Sequence, residues 1–333
     1  MQKRDAENVT AEKSVISEAS YFLQAYTVLN VTKDYQNNMK LYNTRIAPSP
    51  TGFIHLGNIR TAYHNWLAAR STGGQFILRI DDTDKARSEE QYVDKIYETF
   101  AWLGLDFDHT FRQSERLDIY RDFAHALIKK GYAEEIEGGA IRLIIDYKIP
   151  DSWSDIIAGE ILTTSKDLEV LNNIIIIRSD QNPTYNFASI VDDMSTGINL
   201  IIRGTDHISN TIKQIAIVEA LKHVSDSFDK ELEFAHVGLV FEKGKKLSKR
   251  DGSSNFDTHR NNGVNPDAIL NWILRLGWSP SDANFDAKMP LITKDDAKKI
   301  FWTDGAMRNS SASLDMNKLN FYNKKYNNLN KTK

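Results

Sequence analysis

The chain has 333 residues and no cysteine, with 42 Lys and Arg residues against 45 Asp and Glu, which gives a formal net charge of −3. At about 150 residues per domain, this length predicts about two domains with cores large enough to be stable without cross-links. The lack of cysteine excludes disulfide scaffolds, thiolate zinc sites, iron–sulfur clusters and cysteine nucleophiles, so any metal must be held by oxygen or histidine.

The first part of the chain, residues 1–42, is predicted to be an N-terminal extension in the cytoplasm. It lacks the apolar core of a signal peptide, and acidic residues such as Asp5, Glu7 and Glu12 are atypical of a transit peptide. No apolar run approaches the roughly 18 residues that a membrane-spanning helix needs. We therefore predict a cytoplasmic protein with no membrane partner.

From residue 43 to residue 242, apolar strands alternate with amphipathic helices. Helices are predicted where apolar residues recur three and four positions apart, and strands where short apolar runs precede polar loops. In chain order these elements are a helix at 59–67, a strand at 75–80, helices at 93–103 and 120–128, a strand at 198–203, a helix at 212–221 and a strand at 233–241. Gly73 and Gly131 stand where helix caps belong. The alternation predicts an α/β fold with a Rossmann-type parallel sheet, whose ligand site lies at the carboxyl ends of the strands.

The pattern changes over residues 133–180, where β-branched runs at 140–145 and 174–178 are separated by polar turns. We predict a short β-rich insertion at this point. It separates the first half of the Rossmann-type catalytic domain, residues 43–132, from the second half, residues 181–242.

The last predicted segment, residues 243–333, joins a basic loop to a helical domain. Asn265 followed by Pro266 predicts one helix start, and Thr293 with Asp296 resembles a capping box before another helix. Beyond the basic loop, only helices are predicted.

The densest group of candidate site residues is RIAPSPTGFIHLGN, at 45–58. Its prolines and glycines fix a tight loop between a strand and a helix. His55 and the backbone N–H groups around Gly57 and Asn58 would then lie at a helix N-terminus, where the helix dipole and unpaired donors favour phosphate. A turn with a capping histidine is the structural alternative.

A second group is KGKKLSKRDG, at 243–252, in which five of the first eight residues are basic. Flanking glycines suit a mobile loop that closes on a polyphosphate. Lysine serves there as a flexible point charge that stabilises the charge developing as pyrophosphate leaves. The structural alternative is a solvated charged loop.

Five motifs together resemble the glutamyl-tRNA synthetases, a family of class I aminoacyl-tRNA synthetases. They are RIAPSPTGFIHLGN, LRIDDTD, PTYNFASIVDD, IIRGTDHI and KKLSKRDG, in that order, and the resemblance runs from about Asn43 to Tyr326. It implies a Rossmann-type catalytic domain with a C-terminal helical domain that contacts the tRNA stem. The resemblance stops before any anticodon-binding domain, so we expect a truncated form that lacks one. It also implies an enzyme that ligates L-glutamate to tRNA with ATP, through a glutamyl-adenylate.

The resemblance further implies roles for individual residues. His55, Lys246 and Lys249 would be catalytic, because they would stabilise the transition state at phosphate. The ATP site would consist of His55, Gly57, Asn58, Lys246, Leu247, Ser248 and Lys249. The glutamate site would consist of Arg45, Ala47, Ser49, Asp81, Tyr185 and Arg203, with Asp206 and His207 near the amino acid or the adenosine.

Three departures from the family bear on these roles. Asp81 stands where the family has glutamate, so the carboxylate expected to hold the α-ammonium is one methylene shorter, and Thr205 replaces an acidic residue. The insertion after Tyr132 is abbreviated and has no cysteine, so no zinc is expected. The expected ion is Mg²⁺ bound with ATP, and the expected partners of this monomer are L-glutamate and the acceptor stem of a tRNA.

Alternatives remain open at this stage. Tyr185 could be a buried aromatic residue, Arg203 could form an ion pair with Asp192 or Asp193, and Asp206 could cap the next helix. Packing is the default for the histidines that no motif explains, which are His64, His125, His223 and His236. For the whole chain the alternatives are a glutamyl-queuosine tRNA synthetase, which modifies tRNA, and a degenerate paralogue that binds nucleotide or RNA without catalysis.

Overall fold

The computed structural model describes residues 40–242, 244–246, 256–280, 291–302 and 305–329, with the backbone alone at Lys246 and Gly305. The predicted extension at residues 1–42 therefore lies outside the described residues, except for its last three positions. From Tyr42 onward the chain forms one structural unit.

Three parallel strands form the first half of the sheet, in the order β1-β2-β3. They are β1 (Thr44–Ile46), β2 (Phe76–Ile80) and β3 (His109–Arg112), and the helices between and after them are α1 (Leu56–Thr72), α2 (Glu90–Leu103) and α3 (Leu117–Lys130). All of β2 is buried, as a strand covered on both faces requires. The strand and three helices predicted in this half are confirmed. No strand is predicted at β3, because its exposed first residues break the apolar pattern.

Glycine is required where the chain leaves α1. Gly73 has a φ of 78°, and its N–H donates to the carbonyl of Ala69. Gly74 lies so close to the backbone of Tyr42 that a Cβ atom would come within 1.9 Å of the carbonyl oxygen. Gly131, with a φ of 85°, ends α3 in the same way. Both predicted helix caps are therefore confirmed.

Residues 133–180 contain two pieces of antiparallel structure. One sheet consists of β4 (Ala133–Glu135), β5 (Ile141–Leu143) and β8 (Ile175–Ile177), and a separate hairpin consists of β6 (Ser152–Asp155) and β7 (Gly159–Leu162). A short helix, α4 (Ser165–Leu171), is capped by Thr164, whose hydroxyl accepts a hydrogen bond from the N–H of Asp167. The two β-branched runs thus form strands, as predicted, and the domain boundaries stay predictions.

The second half of the sheet continues from the first. Helices α5 (Tyr185–Ser195) and α6 (Ile208–Lys222) accompany the parallel strands β9 (Leu200–Gly204) and β10 (Glu233–Val237). The N–H of Leu200 donates to the carbonyl of Asn43 at 3.3 Å, so the first half of the sheet lies beside β9. β6 pairs with β10 on the opposite side, with Phe234 in register with Asp155. The predicted Rossmann-type parallel sheet is confirmed.

One strand predicted in this half, at 233–241, is in fact two strands. β10 ends at Val237, and the chain resumes as β11 (Val240–Glu242), which pairs with β12 (Lys245–Lys246). A Cβ atom on the intervening Gly238 would lie 2.1 Å from the carbonyl oxygen of Ser310. A distant segment therefore packs against the backbone at the point where the strand breaks.

The prediction of helices alone beyond the basic loop is wrong. β13 (Trp278–Pro280) pairs with β14 (Gly305–Met307), and β15 (Ala312–Ser313) adds to β11. Strands this short are missed because they hold no alternating pattern. The helices here are α7 (Phe256–Asn261), α8 (Pro266–Leu274), α9 (Lys294–Ile300) and α10 (Met316–Leu329). Asn265 and Thr293 cap α8 and α9, as predicted.

The described C-terminal helices share a hydrophobic core with α1. Trp272 of α8 is buried in the same cluster as Leu67, and the ring of Trp278 stacks on Phe301 at 5.9 Å. Within the described part of the chain, no helix combines the length and apolarity that crossing a bilayer requires.

Candidate active site

A cleft of about 580 Å³ opens at the carboxyl ends of β1 and β9, where the two halves of the sheet meet. Parallel sheets bind ligands at this edge. The cleft is lined by every predicted site residue whose side chain is described, namely Arg45, Ala47, Ser49, His55, Gly57, Asn58, Asp81, Tyr185, Arg203, Asp206 and His207. The predicted Leu247, Ser248 and Lys249 lie outside the described residues, and Lys246 is described only as backbone in β12.

His55 is the N-cap of α1 and forms a reciprocal pair with Asn58. Its Nδ1 accepts from the N–H of Asn58 at 3.3 Å, and Oδ1 of Asn58 accepts from the N–H of His55 at 3.4 Å. A neutral ring that accepts at Nδ1 carries its proton at Nε2. A Cβ atom on Gly57 would come within 3.1 Å of this ring. The alternative of a capping histidine is therefore correct. The same capping contacts place the imidazole at the helix end that favours phosphate.

A buried ion network supports one side of the cleft. Asp193 accepts from Nε of Arg45 at 3.0 Å and from Nη1 of Arg79 at 2.7 Å, and Nε of Arg79 also donates to Asp81 at 2.6 Å. Burial raises the pKa of Asp81 to about 6, although Arg79 opposes this shift. Arg45 and Asp81 thus line the cleft and at the same time belong to a buried network in which each charge has an opposite charge as its partner.

Arg203 has a different set of partners. Its Nε donates to Nε2 of His236 at 3.0 Å, and its Nη2 donates to Oγ1 of Thr211 at 2.6 Å. Nη1 is buried and makes no hydrogen bond of normal geometry among the described residues, while the nearby hydroxyl of Tyr185 raises the pKa of the guanidinium in opposition to burial. Burial lowers the pKa of Arg203 to about 10, so the guanidinium is charged at pH 7. A buried cation with an unused donor is costly unless an anion binds to it.

The alternatives for single residues can now be compared with these contacts. The proposed pairing of Arg203 with Asp192 or Asp193 does not occur, because the acidic side chains bond elsewhere: Asp192 to Gln113, Arg116 and Tyr120, and Asp193 to Arg45 and Arg79. Tyr185 is 42% exposed, which excludes a buried aromatic. The N-cap position of α6 is His207, not Asp206.

His207 lies beside Tyr185 in the cleft, just after the carboxyl end of β9. The two side chains approach to 3.4 Å between Nδ1 and the hydroxyl oxygen. Burial, followed by the charge of Arg203, lowers the pKa of His207 to about 4, so this ring is neutral at pH 7.

Sequence reasoning missed the residues that hold the site residues in place. Arg79, Thr211 and His236 contact predicted site residues but carry no predicted role. For His236 a signal existed: it lies on the strand that follows β9, at the position in register with Arg203.

Comparisons with known proteins identify the family of this chain. A family model described as "tRNA synthetases class I (E and Q), catalytic domain" matches residues 42–138 and 134–321. The chain therefore belongs to the family of class I tRNA synthetases of the E and Q type, which confirms the resemblance.

Individual relatives give the same picture. Glutamate–tRNA ligase 2 of Neorickettsia sennetsu is 43% identical over 240 residues, which cover 72% of this chain and 56% of the relative. Glutamate–tRNA ligase of Aquifex aeolicus is 37% identical over 306 residues, covering 79% and 62%. A crystal structure of a glutamate tRNA ligase from Elizabethkingia meningosepticum with its amino acid has a TM-score of 0.73 at 27% identity, covering 87% of this chain and 70% of that one. The chain thus spans about three fifths of the length of these curated relatives.

Proposed function

We propose that this chain ligates L-glutamate to tRNA in an ATP-dependent reaction. The α-carboxylate of glutamate attacks the α-phosphate of ATP, which forms glutamyl-adenylate and releases pyrophosphate. The 2′-hydroxyl of the terminal adenosine of tRNA then takes the glutamyl group, and AMP leaves. The names of the relatives support this proposal. The reaction needs no covalent enzyme intermediate, which suits a cleft built from cationic groups and backbone donors.

Arg203 is the observation that carries the proposal. It offers a buried guanidinium to the cleft, with Nη1 unpartnered among the described residues. A carboxylate matches guanidinium geometry and neutralises its charge. The side chain of L-glutamate supplies such a carboxylate, while Asp81 is proposed to hold the α-ammonium group and Ala47, Ser49 and Tyr185 to enclose the rest.

The phosphates of ATP are assigned to the start of α1. This helix has 17 residues, and its first turn presents backbone N–H groups next to His55. The helix dipole favours an anion there. Lys246 and Lys249 are proposed to close on the phosphates from the basic loop, and Asp206 and His207 to contact the adenosine or the amino acid.

Mg²⁺ enters this proposal with ATP, bound by phosphate oxygens. No cluster of three or more His, Cys, Asp or Glu side chains suited to a metal ion occurs within the described ranges. Asp206 is a carboxylate that lines the cleft and suits contact with a hydrated Mg²⁺. The expectations of no zinc, of tRNA binding through the acceptor stem and of a cytoplasmic monomer remain predictions.

Pyrophosphate exchange tests the proposed function. The purified chain is incubated with ATP, labelled pyrophosphate and glutamate, with and without total tRNA, and charging of the tRNA 3′ end is measured in parallel. We expect exchange that depends on glutamate and tRNA, together with label at the 3′ end. Exchange without tRNA, with glutamate on an anticodon base, would favour the queuosine-modifying alternative. No exchange in either condition would contradict catalysis.

His55→Asn should separate the capping role of His55 from its catalytic role. Asparagine is an effective N-cap, so the free energy of unfolding should change by less than about 0.5 kcal/mol. Adenylate formation should slow about a hundredfold, because one donor to developing charge is worth about 10²–10³ in rate. His55→Ala should lose the same activity and also about 1 kcal/mol of stability. Urea unfolding and pyrophosphate exchange measure the two effects, and normal exchange by His55→Asn would contradict the assignment.

Activity should fall as the pH drops below about 6, the pKa to which burial raises the Asp81 carboxyl. Only the ionised carboxylate binds an ammonium group, so kcat/KM for glutamate should decrease about tenfold per pH unit on that acid limb. Asp81→Asn should be less active and should lose the limb. Circular dichroism at each pH controls for unfolding, and an unchanged limb in Asp81→Asn would assign the titration to another group.

A further inference from the structure

Side chains from three neighbouring strands form a row of contacts across the sheet, from Arg203 through His236 to Asp155, although the residue of β10 in register with Asp155 is Phe234. Arg203 of β9 and His236 of β10 are partners in register, and Oδ2 of Asp155, at the end of β6, lies 2.6 Å from Nδ1 of His236. The three residues are 5%, 0% and 2% exposed. The proposed reaction assigns no role to His236 or Asp155.

The surroundings of Asp155 fix the tautomer of His236, and the hydroxyl of Thr211 lies 3.3 Å from Nε2 of the same ring. Its Oδ2 accepts from the backbone N–H of His236 at 3.0 Å, and its Oδ1 accepts from the N–H groups of Ile157 and Ala158 at 2.9 and 2.8 Å. The side-chain hydrogen bond with His236 and the backbone bonds from Ala158 and Ile157 lower the pKa of Asp155 despite its burial, so it is ionised and accepts from Nδ1–H of His236. Burial lowers the pKa of His236, whose neutral ring then presents Nε2 as an acceptor.

His236 and Thr211 engage two of the three guanidinium nitrogens of Arg203. Nε2 of His236 accepts from Nε, and the hydroxyl of Thr211 accepts from Nη2. Nη1 is the nitrogen that makes no hydrogen bond of normal geometry among the described side chains and backbone, and the hydroxyl of Tyr185 lies near the guanidinium in the same cleft. The row therefore fixes both the plane of the guanidinium and the nitrogen that a ligand in the cleft meets.

We propose that Asp155, His236 and Thr211 are positioning residues that make the cleft select a side-chain carboxylate over the matching carboxamide. The inference rests on the proposed function, in which Arg203 binds the side chain of glutamate. A guanidinium can only donate, and with Nε and Nη2 engaged by His236 and Thr211 it presents Nη1 to the ligand in a fixed plane, where either oxygen of a carboxylate can accept. A carboxamide has only one acceptor oxygen, its NH₂ group cannot accept from Arg203, and it carries no charge to pair with the buried cation.

Thr211 offers a matched pair of variants for the test. Thr211→Val keeps the shape of the side chain and removes the acceptor for Nη2, whereas Thr211→Ser keeps the acceptor. We expect Thr211→Val to raise the KM for glutamate about tenfold and to lower the preference for glutamate over glutamine by a similar factor, with kcat and the KM for ATP nearly unchanged. Thr211→Ser should stay within about twofold of the wild type. A wild-type KM for glutamate in Thr211→Val, or equal losses for glutamate and ATP, would overturn the proposal.

The tautomer of His236 is a readout that a purely structural role would not move. In ¹⁵N spectra of histidine-labelled protein at pH 7.5, the resonances absent from His236→Asn should show a protonated Nδ1 and an unprotonated Nε2. Asp155→Asn should turn the ring to the Nε2–H form, which donates toward Arg203 and raises the KM for glutamate. An Nε2–H ring in the wild type would contradict the proposed proton arrangement.

Equilibrium dialysis with labelled glutamate distinguishes failure of this inference from failure of the proposed function, because it needs neither tRNA nor chemistry. A wild type that binds glutamate in preference to glutamine but charges no tRNA would contradict the proposed function alone, provided that Thr211→Val weakens the binding. A wild type that charges tRNA while Thr211→Val binds glutamate normally would overturn the inference alone. No selective binding of glutamate by the wild type would overturn both.

Discussion

An Arg203→Gln variant should lose about a thousandfold in kcat/KM for glutamate, mainly through KM. Glutamine can still reach His236 or Thr211, but it carries no charge to pair with the substrate carboxylate. Removing one partner of a buried charged pair costs about 2–5 kcal/mol, and each 1.4 kcal/mol is about a factor of ten in an equilibrium constant. Steady-state charging assays over a range of glutamate concentrations measure the loss.

Two further variants control this experiment. Arg203→Lys should recover little, because a single ammonium cannot replace the fixed fork that reaches His236, Thr211 and the ligand. Arg142→Gln removes an arginine far from the cleft that pairs with the half-buried Glu134, and its kcat/KM should stay within about twofold of the wild type. An Arg203→Gln protein that kept a tenth of the activity and the wild-type preference for glutamate would contradict the assignment.

Replacing Arg79 with methionine should lower the free energy of unfolding by about 3–5 kcal/mol. The side chain of Arg79 is 1% exposed and lies 2.6 Å from Asp81 and 2.7 Å from Asp193. Methionine fills a similar length but leaves buried carboxylates short of a counter-charge. Urea unfolding near pH 7.5 measures the loss, with the m-value as a check that unfolding stays two-state.

Arg121 provides a matched surface control for Arg79. It pairs with the exposed Asp118 at 3.0 Å, so Arg121→Met should cost less than about 1 kcal/mol. Asp81→Asn added to Arg79→Met should restore part of the lost stability, because it removes one of the carboxylates left without a counter-charge. A loss below about 1 kcal/mol in Arg79→Met would mean that the network does not depend on this arginine.

The location of the site could be predicted from the sequence because it follows from one rule. His55 and Arg203 are far apart in the chain: His55 follows β1 in the first half of the sheet, and Arg203 lies on β9 in the second half. The carboxyl ends of parallel strands bring both residues to one edge of the sheet. Local patterns also predicted the caps at Gly73 and Asn265, since capping depends on neighbours in the chain.

The contacts that hold the site residues in place could not be predicted in this way. Whether His236 bonds to Asp155 or to solvent depends on which strands are neighbours and in what register, and on burial. The break at Gly238 depends on a segment about seventy residues away that packs on its backbone. The same residue types would be present whether or not His236 met Asp155 and whether or not the strand broke at Gly238. Only the pairing of distant segments decides these two features.

The β6–β7 hairpin carries the outer end of the row that Arg203, His236 and Asp155 form across the sheet. β7 is the terminal strand of this part of the sheet, and its Leu162 is 68% exposed. Local opening of the hairpin would separate Asp155 from His236 and free the acceptor that orients Arg203. A ligand that prefers the closed form suppresses such opening by mass action. Amide hydrogens of residues 156–162 would then exchange more slowly when glutamate is bound, so that occupancy of the cleft is reported by a surface hairpin two strands away.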